Sequence, residues 1–152
     1  MAEYAFNPVQ TVNPGESVLL DTVIPCNKGY IYHRNQSGIL LLRGIVNACN
    51  ACFARYQVTF NGNIALTDGS TVGPISVSLA IDGEPIQTSR AIVTPAATED
   101  FFNVTSTAII TVPRNCCLNV SVENTSESAT PGTTPAPQID VQNANLTVAR
   151  IA

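Results

Sequence analysis

From Arg55 to Glu123 the chain is one run after another of alternating apolar and polar residues. Arg55-Tyr-Gln-Val-Thr-Phe60, Ile75-Ser-Val-Ser-Leu-Ala-Ile81, Asn103-Val-Thr-Ser-Thr-Ala-Ile-Ile-Thr-Val112 and Leu118-Asn-Val-Ser-Val122 carry this pattern, and Val141 to Ala152 continues it. Successive side chains of a strand point to opposite faces, so each run predicts a strand with one face in a core. No segment keeps a helical period over ten residues. The chain is thereby directed to an all-β sandwich or barrel of about ten short antiparallel strands.

Other segments fill in this plan. Ser17 to Ile24 reads as a strand, Pro25 to Gly29 as a turn, Tyr30 to Arg34 as a short strand and Asn35-Gln-Ser-Gly38 as a turn. Ile39 to Leu42 is continuously apolar, the pattern of a strand covered on both faces. Gly44 to Phe53 fits either a loop or an irregular strand entry. Asn61-Gly62 and Asp68-Gly69 are turn dipeptides, and Asp82-Gly83 suits a tight hairpin. Ser89 to Val93 predicts a short strand, and Pro113 to Asn115 a break. Residues 124–138, rich in Ser, Thr and Pro, predict an exposed loop. The domain is expected to run from residue 13 to 152. Residues 1–12 precede the turn signal Asn13-Pro-Gly15 and read as a separate N-terminal arm.

With 152 residues, 45% of them hydrophobic, the chain can bury one full core. Only 12% are charged and the net charge is −4. One lysine and six arginines are scattered singly. Phosphate binding needs clustered positive charge, so the sequence argues against nucleic acid and against docking on an anionic membrane. No apolar run approaches the ~20 residues of a membrane-spanning helix. Residues 1–8 lack the basic and apolar regions of a secretory signal.

Four stretches resemble, in order, the jelly rolls of the tumour necrosis factor and complement globular-head superfamily. Val18 to Ile24, Tyr30-Ile31 and Gly38 to Leu42 are similar to its opening strands. Ala54 to Phe60 is similar to the aromatic strand that begins its core, Val77 to Glu84 to its acidic hairpin, and Asn143 to Ile151 to its closing strand. Within that superfamily the chain looks most like the C-terminal domain of bacterial collagen-like spore-surface glycoproteins and the stand-alone phage and bacterial versions. It has no Gly-X-Y stalk, and it carries a Cys-bearing segment before Arg55. The resemblance implies a ten-strand jelly roll, tight homotrimers, and display on the outside of a particle or cell.

The candidate chemistry is sparse. Cys26, Cys49, Cys52, Cys116 and Cys117 are odd in number, which is not the pattern of a disulfide scaffold. Cys49-Asn-Ala-Cys52 has zinc-knuckle spacing, but adjacent Cys116 and Cys117 on a strand would point to opposite faces. Buried thiols, a disulfide within or between subunits, and a zinc site all stay open, with buried thiols favoured. His33 is the single histidine and has no nucleophile signature around it. Asp82 with Glu84, and Glu99-Asp100, lie in turns rather than across a cleft. Asn-X-Ser/Thr occurs at Asn35, Asn103, Asn119, Asn124 and Asn145, as Asn- and Thr-rich strands produce by composition. No cofactor motif is present.

These readings point to a non-catalytic homotrimer that builds or decorates a particle surface, as a virion component or a spore or cell-surface appendage. The alternative is a receptor- or glycan-binding tip of the same architecture. Tyr4 and Phe6 in the arm, with Tyr56 and Phe60 on the aromatic strand, are the candidate assembly contacts. Ile39 to Leu42, with Cys116, Cys117 and Leu118, are expected in a sheet whose outer face meets neighbouring subunits.

Overall fold

A computed structural model describes residues 1–24 and 29–152. Cys26 and most of the predicted 25–29 turn lie outside the described residues. Among the described residues twelve strands follow in chain order. They are β1 (Ala2–Phe6), β2 (Gln10–Val12), β3 (Thr22–Ile24), β4 (Ile31–His33), β5 (Leu40–Arg43) and β6 (Phe53–Leu66). Then come β7 (Ile75–Ile81), β8 (Glu84–Pro85), β9 (Ala91–Val93), β10 (Phe102–Pro113), β11 (Cys117–Asn124) and β12 (Ile139–Arg150). One 3₁₀ turn, Gln87–Ser89, precedes β9.

The strands form two antiparallel sheets. The long sheet has the order β10-β6-β12-β1-β3, with β2 also paired to β12. The short sheet has the order β4-β5-β11-β7-β8, with β9 paired to β7. Alternation decides what lies between them. In β6 the residues Ala54, Tyr56, Val58, Phe60 and Ile64 are fully buried. Leu40, Leu42, Val77, Leu79, Val120 and Val122 meet them from the short sheet.

Several expectations change. The strand predicted for 55–60 runs on to Leu66, so Asn61-Gly62 is no turn. Gly62 faces inward, where a Cβ would sit 2.8 Å from Cζ of Phe60. The glycine makes room for that ring. Only Thr22–Ile24 of the predicted 17–24 strand is assigned as one, although Val18 and Leu20 are fully buried. Asp82-Gly83 does form a tight hairpin, with φ of 50° and 85°.

The largest correction concerns the N-terminal arm. It is not separate from the jelly roll. β1 pairs with β12 over Ala2↔Val148 to Phe6↔Ala144, and with β3 over Glu3↔Ile24 to Ala5↔Thr22. β2 pairs with the start of β12. Ala2, Tyr4 and Val12 are buried in the common core. The chain before Asn13-Pro-Gly15 contains two short alternating runs, which suffice to fill a place in a sheet whose neighbours come from residues far away.

A candidate assembly face and a charge-segregated sandwich

Tyr4, Tyr56 and Phe60 are not assembly contacts. Each is buried within this one chain. Alternation turns all three inward, where a large ring fills the core. Tyr4 stacks on His33 with ring centroids 5.0 Å apart, and Nε2 of His33 lies 2.9 Å from the carbonyl of Ser37. That fixes His33 as a packing residue. The Tyr56 hydroxyl donates to the carbonyls of Arg43 (2.5 Å) and Tyr30 (3.3 Å). Phe6 is half-buried in β1.

A broad surface that this chain leaves uncovered is the outer face of the long sheet. Three rows of side chains cross it, set by the register of β10, β6 and β12. They are Thr105–Asn61–Asn145, Thr107–Thr59–Thr147 and Ile109–Gln57–Ala149. Hydroxyls and amides bond to each other across the rows. Thr107 to Thr59 is 3.2 Å, Asn61 to Thr105 is 3.0 Å, and Asn103 to Asn61 is 3.0 Å. Ile109 is 63% exposed among them. On these three strands no charged side chain faces outward between Arg55 at one end and Asp140 at the other.

The short sheet is different, and the sequence had pointed to it instead. Leu40 and Leu42 turn into the core, while Ile39 and Leu41 are half-buried outside. Its outer face at β7 is already closed. Ser76, Ser78 and Ser89 are buried there, and Arg90 ties the cover down through Ser76 (2.9 Å), Thr125 (3.0 Å) and Glu127 (2.7 Å). Glu123, 8% exposed, lies on this sheet and accepts from Ser121 at 3.0 Å. Its pKa is raised, chiefly because burial strips water from the carboxylate; the Ser121 bond lowers it in part, and Glu84 raises it further. Asp82 accepts from the backbone (3.0 Å) and amide (2.9 Å) of Asn119, which makes it a clamp on the hairpin.

Cys49, Cys52, Cys116 and Cys117 are exposed free thiols, not buried ones. Cys49 and Cys52 lie in the β5–β6 loop, Cys116 in the β10–β11 turn, and Cys117 is the first residue of β11. The two segments are held together. Arg114 donates its backbone N–H to Cys52 (2.9 Å) and its guanidinium to the carbonyl of Cys49 (3.2 Å). Gly44 lies so close to Pro113 and Cys116 that a Cβ there would overlap the Pro113 carbonyl. Among the described residues no three His, Cys, Asp or Glu side chains are placed to hold a metal ion.

The fold also gathers charges that the sequence scatters. Arg55 lies near the start of β6, Arg114 follows β10, Arg150 ends β12, and Arg43 ends β5 beside Cys117. These four arginines share one end of the sandwich. Asp68, Glu99, Asp100 and Asp140 share the other, where Glu99 donates its N–H to Leu66 and Asp140 pairs with Ala65. Positive charge is therefore clustered in space although not in sequence.

No family model matches the chain, and no curated protein does. Solved structures do. The globular domain of a zebrafish complement 1qA protein superposes with a TM-score of 0.59 at 12% identity, over 95% of this chain and 92% of that one. The Eiger TNF of S. frugiperda superposes with a TM-score of 0.61 at 11% identity, over 100% of this chain and 92% of that one. The fold is a TNF-like, C1q-like jelly roll. At these identities the likeness shows the fold alone.

Proposed function

We propose that the chain is a non-catalytic structural subunit that trimerises through the outer face of the long sheet. We further propose that the trimer builds or decorates the surface of a virion, or of a spore or cell appendage. One observation carries this reading: the outer face of the long sheet is uncovered, and across β10, β6 and β12 it is free of charge. Interface cores are depleted in charge, whereas a solvated face of this size ordinarily carries it. The trimer is also the assembly that the family resemblance implies. Low overall charge and neutral Thr- and Asn-rich strands suit a surface built from repeated contacts between copies.

Sedimentation at micromolar concentration tests the reading. The wild-type chain should sediment at three times its 16.1 kDa mass. Thr59→Arg places a cation in the middle of the central row, where copies would meet, and should give a folded monomer. A wild-type monomer, or an unchanged trimer in T59R, would sink the proposal.

A further inference from the structure

We infer that copies of this protein stack head to tail, with the arginine end of one sandwich docking on the acidic end of the next. β6 alone has 14 residues, so the two ends are separated by roughly 45 Å at the usual strand rise. At physiological salt, charges that far apart do not sense one another within a chain. Their segregation is therefore available for contacts between chains.

Each end is built to complement the other. On the long strands and the turns that join them, Arg55, Arg114 and Arg150 face Asp68, Asp100 and Asp140 at the opposite pole, with no charge of the wrong sign at either. Both ends also expose aromatic surface. Phe53 is 40% exposed at the arginine end, beside a shallow depression lined by Val46, Ala51 and Cys52. Phe101 and Phe102 are each 39% exposed at the acidic end. Charge sets orientation and rate of encounter, while the rings supply area that leaves water on contact. Asp82 and Glu84 lie on the β7–β8 hairpin of the short sheet and Glu3 on β1 opposite Thr147; the four arginines still outnumber them at the arginine end.

A contact between two different patches is heterologous. If its rotation does not close a ring, copies add along one axis. The contact uses the ends of the sandwich, so it is independent of the sheet face proposed for trimers. T59R protein should still stack.

Light scattering, in reducing agent to keep the thiols from cross-linking, tests the inference. At low salt the wild-type protein should grow beyond its basic unit, and added salt should reverse this. Arg55→Glu with Arg114→Glu should weaken growth roughly tenfold or more, as should Asp68→Arg with Asp100→Arg. All four positions are exposed, and circular dichroism confirms the fold of each variant. The decisive arm mixes the two variants. Each reversed end then meets its complement, and growth should return. Stacking should also slow maleimide labelling of Cys49, Cys52, Cys116 and Cys117. A wild-type unit that stays discrete at low salt overturns the inference. So does growth that survives either double reversal, or a mixture that fails to restore it.

Discussion

Removing the first strand tests whether the chain before Asn13 belongs to the core. β1 lies between β12 and β3, and among the described residues β3 has no other neighbour in its sheet. Deleting residues 1–12 therefore strips β12 of its partners β1 and β2 along one edge and leaves β3 unpaired. It also removes Ala2, Tyr4 and Val12 from the core. The side-chain part can be isolated in Tyr4→Ala. Truncating a fully buried aromatic costs about 3–5 kcal/mol, through lost transfer energy and the cavity left behind. That is a large share of the roughly 5–15 kcal/mol by which a domain is stable. For a domain of this size each kcal/mol lowers Tm by about 2–4 °C. Tyr4→Ala should therefore melt roughly 6–20 °C below wild type at equal protein concentration, and the deletion should fail to fold. Thermal melts followed by far-ultraviolet circular dichroism read both. A truncated chain that is folded, melts near wild type and merely fails to assemble would refute the argument and restore the arm as an assembly element.

Two further outcomes follow from the packing. Gly62→Ala brings a methyl to 2.8 Å from the fully buried Phe60 ring; overpacking at about 1–3 kcal/mol outweighs the 0.5–1 kcal/mol by which Ala is better than Gly in a strand, so G62A should be less stable by about 1–2 kcal/mol in urea. A stabilised G62A would show that the ring has room to move. Glu123 holds its proton more tightly when folded, so stability should fall as pH rises from its unfolded value of 4.5 through its raised folded value. Glu123→Gln keeps an acceptor for Ser121 and should remove that part of the slope in melts across acid pH; an unchanged slope would rule out Glu123 as its source.

Alternation made most strands legible because β6, β7, β10, β11 and β12 each bury every second residue, or bury both faces where a cover lies over them. What failed was local punctuation. Asn61-Gly62 looks like a turn, but Gly62 answers to the Phe60 ring rather than to the backbone. β1 and β2 are too short to be recognised as sheet members without β12, about 140 residues away. The aromatics at 4, 56 and 60 were conspicuous as large apolar groups, yet only parity within the paired sheet shows which way they turn. The cysteines were misjudged because thiols usually pack inside. Here they sit in loops or at the very end of a strand.

The functional surfaces were hidden for a related reason. Low charge was visible in the composition, but not that the charges would leave the outward positions of β10, β6 and β12 between Arg55 and Asp140. A contiguous neutral patch arises only when antiparallel register sets Thr107 against Thr59 and Thr59 against Thr147. The same register explains the poles. Antiparallel strands of similar length begin and end at alternate ends of a sheet. An arginine near the start of β6, one after the end of β10 and one at the end of β12 therefore arrive together, as do the acids near Leu66, before Phe102 and after Ile139. The segregation uses positions that the core leaves free, since residues beyond the sandwich ends contribute little to packing. A chain could exchange charges there without cost to its fold. The sorting of sign by pole, alongside a neutral flank, is the arrangement expected of a subunit that meets its copies sideways through uncharged contacts and endwise through charged ones.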